Sequence, residues 1–276
     1  MRANRILSQI MMYLFLAIIV LITIYPLLWI IMQSFKSSKE IVASPLALPN
    51  TWSMKGYQDA VRLSPIMTFY KNSIIVTIVS MTVTIVFYSM SSYALSRMQS
   101  RASVILVSVL SMSLYLPASA MIYPIFRVIN GLGLYDTKAG LSLIYVAINM
   151  PMTLFLMRSQ FLSIPREIEE SAYIDGASVP KVFFSVMFPI AKPGIATAAI
   201  LAFLHSWNEF LFALLLTSKT ENRTLPLALN YFTSAFDNNY PALFAAMVMV
   251  IMPGIVVFIF MQERVITGMT AGAVKG

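Results

Sequence analysis

The chain has 276 residues, 59% of them hydrophobic and only 11% charged, with a mean hydropathy of +0.80. Soluble domains carry about a quarter charged residues, so an ordinary water-soluble fold is excluded and lipid is the solvent for most of the chain. The lack of cysteine and the single histidine exclude disulfides, thiolate metal sites and multi-histidine centres, and the net charge of +8, spread without a dense Lys/Arg run, points to lipid head groups at helix ends rather than to nucleic acid.

A helix needs ~20 apolar residues to cross the hydrocarbon layer. Six runs reach that length, at about 10–32, 73–95, 102–123, 139–157, 195–217 and 242–261. They are expected to be helices, because lipid offers no partner to backbone N–H and C=O groups and the runs are too evenly apolar for barrel strands. The expected fold is therefore an all-α integral membrane protein with six transmembrane helices, residues 1–276 forming a single transmembrane domain.

Arg2 and Arg5 precede the first run, which is too long for the ~7 to 15 residues of a signal-peptide core. It is expected to stay as a membrane helix. The second run carries eight Ser or Thr residues, which predicts a helix facing protein, since small hydroxylated side chains allow close approach and hydrogen bonds across a contact. Pro26, Pro117, Pro124, Pro151 and Pro253 lie in or beside the runs and invite kinks.

Between the fourth and fifth runs, residues 165–192 read PREIEESAYIDGASVPKVFFSVMFPIAK and concentrate the ionisable groups of their neighbourhood. This wet segment between two dry ones predicts two short helices lying against the membrane face. Ser163 is the expected cap of the first, Gly176 its stop, Ser178 with Pro180 the second start, and the second helix is expected to end before Pro189.

In the fifth run His205, Asn208 and Glu209 fall near the middle of the apolar stretch, and Glu209 is the only acid in any of the six runs. A charge in lipid is costly, so Glu209 must face protein or water. His205 lies four residues earlier on the same helical face, and a structural pair or a place on a translocation path are both open. As a metal site the pair lacks further ligands. The tail from Gly268 to Gly276 is small and almost uncharged.

Six spans put both termini on one side, which would hold ten of the 19 Lys and Arg residues against nine on the other. Charge therefore leaves the orientation open. Cytoplasmic termini place residues 165–192 where an energy-coupling partner would be.

Glu170-Ser171-Ala172, three residues, Gly176, nine residues, then Val186-Met187-Phe188-Pro189 resembles the EAA signature of bacterial ABC importer permeases, Glu-Ala-Ala, three residues, Gly, nine residues, Ile-x-Leu-Pro. The departures, Ser171, Val186 and Phe188, keep size class or polarity. Tyr173-Ile174-Asp175-Gly176-Ala177, Trp207-Asn208-Glu209-Phe210 and the ending 268–276 look like the carbohydrate-uptake branch, the MalG-like subunits, over essentially the whole chain.

The resemblance implies a permease subunit of an ATP-driven importer in a bacterial inner (plasma) membrane, multi-pass with both termini cytoplasmic. Its substrate would be a sugar or oligosaccharide delivered by an external solute-binding protein. Its partners would be a second, MalF-like permease, an ABC ATPase dimer, the binding protein and membrane lipid, with no nucleic acid. The cytoplasmic EAA loop would be a two-helix coupling element whose seat on the ATPase is Glu170, Ala172, Asp175, Gly176 and Pro189, and the tail would reach into the ATPase interface. His205, Asn208 and Glu209 are the candidates for the translocation path. Segments 33–71 and 219–240 are candidate docking surfaces for the binding protein. No Gly-x4-Gly-Lys-Ser/Thr phosphate loop occurs in the sequence. ATP and Mg would then belong to the partner ATPase, with no cofactor in this chain and no enzymatic activity of its own. An ion-coupled secondary transporter is the main alternative and a membrane-embedded enzyme the lesser one; the single intramembrane acid and the lack of a nucleophile or metal cluster weigh against them.

Overall fold

Helix α1 (Arg2–Ser34) opens the computed structural model, which describes residues 2–98, 100–232 and 239–273. Its side chains from Ile6 to Tyr25 are exposed all round, as expected of a helix apolar on every face whose solvent is lipid. Among the described residues the chain is helical with no strand. Among the described residues four helices are long and apolar enough to cross a membrane, and up to six spans result if each of two sharply bent pairs, Arg101–Tyr115 with Ala118–Gly131 and Val179–Ile190 with Lys192–Asn208, is one span.

The chain divides into two compact units, one of residues 1–66 with 228–252 and the other of residues 67–227 with 253–276. In the first unit, short helices α2 (Ser38–Ala43) and α3 (Lys55–Leu63) fold the segment after α1. A capping box starts α2: Ser37 accepts from the Glu40 N–H, and the Ser37 N–H donates to the Glu40 carboxylate at 2.9 Å. The buried Lys36 ammonium donates to the Ser44 carbonyl at 3.0 Å. The ring of Phe35 packs on Trp52 and Tyr57 at 5.3 and 5.4 Å. Gly56 lets the backbones close in, since a Cβ there would stand 2.6 Å from the Pro241 carbonyl oxygen and 2.9 Å from that of Ser34.

The second unit is built on α4 (Ile66–Arg97) and α7 (Lys138–Ser163). Ser73, Thr77, Ser80, Thr84, Ser92 and Ser96 of α4 are all buried at helical spacing, the protein-facing stripe that the hydroxyl-rich second run predicts. Ser80, Tyr88 and Ser92 donate to the carbonyls of Ser142, Val146 and Leu154 on α7 at 3.3, 3.1 and 3.2 Å. In a dry interior such bonds replace the water that neither group can reach.

Two expected spans are not continuous. The third run forms α5 (Arg101–Met112), then 3-10 turns and α6 (Ile122–Gly131), with Arg101–Tyr115 and Ala118–Gly131 meeting at 105°. Pro117 causes the break: Leu116 before it is extended, with φ −81° and ψ 120°, as a residue preceding proline prefers. Pro124 sits in the first turn of α6, where its missing N–H costs nothing. Pro26, Pro151 and Pro253 stay inside their helices. The fifth run forms α11 (Lys192–Asn208) and α12 (Leu211–Leu216), with extended Glu209 between them. Helix α13 (Tyr240–Ala273) completes the chain. It carries the first six residues of the small-residue tail as helix, while 274–276, and 233–238 of the segment 219–240, lie outside the described residues.

Candidate functional site

Residues 165–192 fold into an elbow. Helix α8 (Arg166–Ile174) starts at Pro165, whose side chain makes no cap bond, while the Ser163 hydroxyl, the expected cap, instead donates back to the Gln160 carbonyl inside α7 at 2.7 Å. Glu167 and Glu169 in the first turn complement the positive end of the helix. Gly176 ends it at φ +78°, with the Ala177 N–H returning to the Ala172 carbonyl at 3.0 Å.

The second arm begins at Ser178 as α9 (Val179–Val182), widens into a π-turn over Phe183–Met187 and closes as α10 (Phe188–Ile190). The expected stop before Pro189 is thus corrected. The Phe188 N–H reaches back to the Phe183 carbonyl, and this wider turn lets the helix carry a proline that has no N–H to give. Phe183 and Met187 point into a core with Tyr93, Met157 and Phe161, so the second arm is anchored by packing.

The elbow has two faces. Glu170, Asp175, Gly176 and Pro189 are exposed, and Ile174 at the bend is 85% exposed. Ala172 is half-buried, against the core. The inward face turns on Glu169, which is not among the candidate coupling residues named from the sequence. The residue is buried, and its carboxylate accepts from the Arg97 Nε at 2.6 Å, the Tyr93 hydroxyl at 2.5 Å and the Tyr173 hydroxyl at 3.2 Å. Arg97 also donates to the Ile164 carbonyl at 3.2 Å. The last two turns of α4 thereby hold both ends of the α7–α8 connection. Period alone could have flagged Glu169, because it shares the inward stripe with Ala172 and Tyr173.

Glu209 has a structural employment at the α11–α12 break. Its two carboxylate oxygens accept from the N–H groups of Phe212 at 2.8 Å and Ala213 at 3.0 Å, so it serves the new helix as an N-terminal cap. Tyr145, almost fully buried on α7, donates to it at 2.7 Å. One turn along, Asn149 donates to the Ser206 hydroxyl at 3.0 Å. His205 and Asn208 are exposed on α11, and Asn208 donates back to the Leu204 carbonyl at 2.9 Å. The described residues show no hydrogen bond between His205 and Glu209, because the chain leaves the helix at Glu209 and the expected shared face ends there.

At the end of α4 and α7 remote from the elbow, a second set of bonds gathers residues 216–225. Asp136, at φ 55°, accepts through its carboxylate from the N–H groups of Ser218 at 2.9 Å and Lys219 at 3.1 Å and from the Asn222 amide at 3.2 Å. Its own N–H donates to the Leu216 carbonyl at 2.9 Å. Partial desolvation pushes the Asp136 carboxyl up, but these donors and the nearby Lys219 charge outweigh it and hold the group below its usual value. On α4, Asn72 donates to the carbonyls of Glu221 and Arg223 at 2.8 and 2.9 Å, and Ser73 accepts from the Leu225 N–H at 2.7 Å. No group of three or more His, Cys, Asp or Glu suited to a metal occurs among the described residues.

With this geometry in place, comparisons locate the chain among known proteins. Residues 61–270 match the family model described as binding-protein-dependent transport system inner membrane component. The chain is 34% identical over 269 residues to the probable ABC transporter permease protein YurM of Bacillus subtilis (strain 168), spanning 98% of this chain and 89% of that protein. It is 35% identical over 256 residues to the diacetylchitobiose uptake system permease protein NgcG of Streptomyces coelicolor, spanning 92% and 85%. Among solved structures, a chain of a bacterial ABC transporter involved in the import of the acidic polysaccharide alginate superposes with a TM-score of 0.84 at 25% identity, covering 95% of this chain and 98% of that one.

Proposed function

Because the chain belongs to the family of inner membrane components of binding-protein-dependent transport systems, we propose that it is the permease subunit of an ATP-driven importer of a sugar or oligosaccharide. Relatives are permease subunits of carbohydrate uptake systems, among them that for diacetylchitobiose, and this supports the substrate class. The chain crosses the membrane six times with both termini cytoplasmic, α5 with α6 making one crossing and α11 with α12 another. It works with a second permease, an external solute-binding protein and a separate ATPase dimer that brings ATP and Mg, and it hydrolyses nothing itself.

The observation that carries this reading is the elbow at Gly176. Its outward face offers an acid, Glu170, a second acid, Asp175, and a protruding apolar residue, Ile174, while its inward face is bonded through Glu169 to α4. A partner that grips the outward face moves α4 with it, and rigid-body helix motion is how access alternates between the two sides. His205 and Asn208, exposed just before the helix break, are the polar groups of α11 placed to meet solute. Glu209 is committed to Tyr145 and the start of α12, which favours ATP-driven over ion-coupled transport.

The test is co-purification of the ATPase together with solute uptake in Glu170→Lys and Gly176→Asp variants that insert normally. The expected outcome is loss of uptake with weakened ATPase retention. Normal values for both would remove the elbow from the coupling pathway.

A further inference from the structure

Three arginines that the transport reading leaves without a task meet in one groove. Arg101 begins α5, Arg158 lies near the end of α7 and Arg166 begins α8, and together they line a groove of about 580 Å³ on the elbow side of the second unit. No acidic residue lines it. Among the described residues, none of the three forms an ion pair; Arg158 uses its Nε on the Leu95 carbonyl at 3.4 Å, and its terminal nitrogens have no protein acceptor. Arg97, by contrast, is paired with Glu169.

The groove is amphipathic. Val104, Ile105 and Leu162 flank the arginines at 62%, 63% and 45% exposure, continuous with the apolar surface of α5 that lipid must cover. The first turn of α5 opens into it, with Ser100 capping the Ser103 N–H. Like charges beside low-dielectric surroundings repel unless an anion joins them. Guanidinium forks match phosphate oxygens in pairs, and an apolar wall beside them suits acyl chains. We propose that this groove is a binding site for an anionic phospholipid, with the phosphate held by Arg101, Arg158 and Arg166 and the chains lying along Val104, Ile105 and Leu162.

The experiment is native mass spectrometry of the full-length chain purified in detergent, offered phosphatidylglycerol and phosphatidylcholine in equal amounts. Wild type is expected to retain phosphatidylglycerol selectively. Arg166→Gln, on the surface, should lower retention about five-fold, the change that one basic side chain near an anionic membrane surface carries. The triple variant Arg101→Gln/Arg158→Gln/Arg166→Gln should abolish the selectivity, the triple Lys variant should keep part of it, and Lys138→Gln, at the opposite end of α7 from Arg158, should leave it unchanged. A monodisperse elution peak and unaltered helix content establish that the variants are folded. Equal retention of both lipids by wild type, full retention by the triple Gln variant, or displacement by millimolar inorganic phosphate would each overturn the proposal. Since the readout is bound lipid, failure leaves the transport reading standing, and failure of transport leaves this one standing.

Discussion

Arg97 on the last turn of α4 and Glu169 in α8 stand 2.6 Å apart with 14% and 10% of their side chains exposed, joining the elbow to a helix of 32 residues. At 1.5 Å per residue that helix is about 48 Å long, and its other end holds the segment 221–225 through Asn72 and Ser73.

Breaking this pair on one side should be more harmful than removing both charges. Glu169→Leu leaves a largely buried guanidinium without its partner, for which a cost of about 3 to 5 kcal/mol is expected; the double variant Arg97→Met/Glu169→Leu should be the more stable of the two. Thermal unfolding of the purified chain measures both. Equal destabilisation would mean that the pair is wet and weak.

Gly176 is constrained by its backbone rather than by space, since a Cβ there would meet nothing within 4 Å. Gly176→Ala should therefore cost about 1 to 2 kcal/mol through the left-handed conformation alone, and Gly176→Asn less, because asparagine tolerates that region. The ordering Gly, Asn, Ala in melting temperature is the expected result. A harmless Gly176→Ala would show that the elbow bends elsewhere.

Asp136 predicts a pH dependence at the end of the bundle remote from the elbow. Its folded carboxyl is held below the ordinary value of about 4, so its stabilisation is complete at neutral pH, above the unfolded value, and is lost as pH falls from there through the folded value. Protease sensitivity of the peptide bonds around Ser218–Asn222 should rise on acidification in wild type. Asp136→Asn keeps the αL-tolerant side chain but cannot titrate, so that rise should disappear.

Glu209 is expected to behave as a cap and an acceptor, not as a proton carrier. Glu209→Gln retains an oxygen for one backbone N–H and should keep most of the uptake, whereas Glu209→Ala strips the start of α12 and leaves the Tyr145 hydroxyl only the distant Glu209 carbonyl at 3.5 Å, a loss of about 1 to 3 kcal/mol for that bond alone. Adding Tyr145→Phe to Glu209→Ala should recover part of that loss. If Glu209→Gln abolished uptake while leaving the melting temperature intact, the capping role would not be the important one.

Composition and run length alone determined that this is a helical membrane protein, because lipid leaves the backbone no other way to satisfy itself and the hydroxyl stripe of α4 has only protein to face. The glycine at the elbow was equally legible, since a left-handed residue between two amphipathic stretches has a local signature. What the order of residues could not say was which polar groups would meet across the bundle. Glu169 finds Arg97 at a separation of 72 residues, Glu209 finds Tyr145 at 64, and Asp136 finds Ser218 at 82. Those pairings follow from helix packing, which spacing along one helix does not encode. The same reason explains the breaks: Pro117 and Glu209 are visible in the sequence, but whether a helix bends, stops or runs on there depended on what the freed backbone groups could bond to once the neighbours were in place.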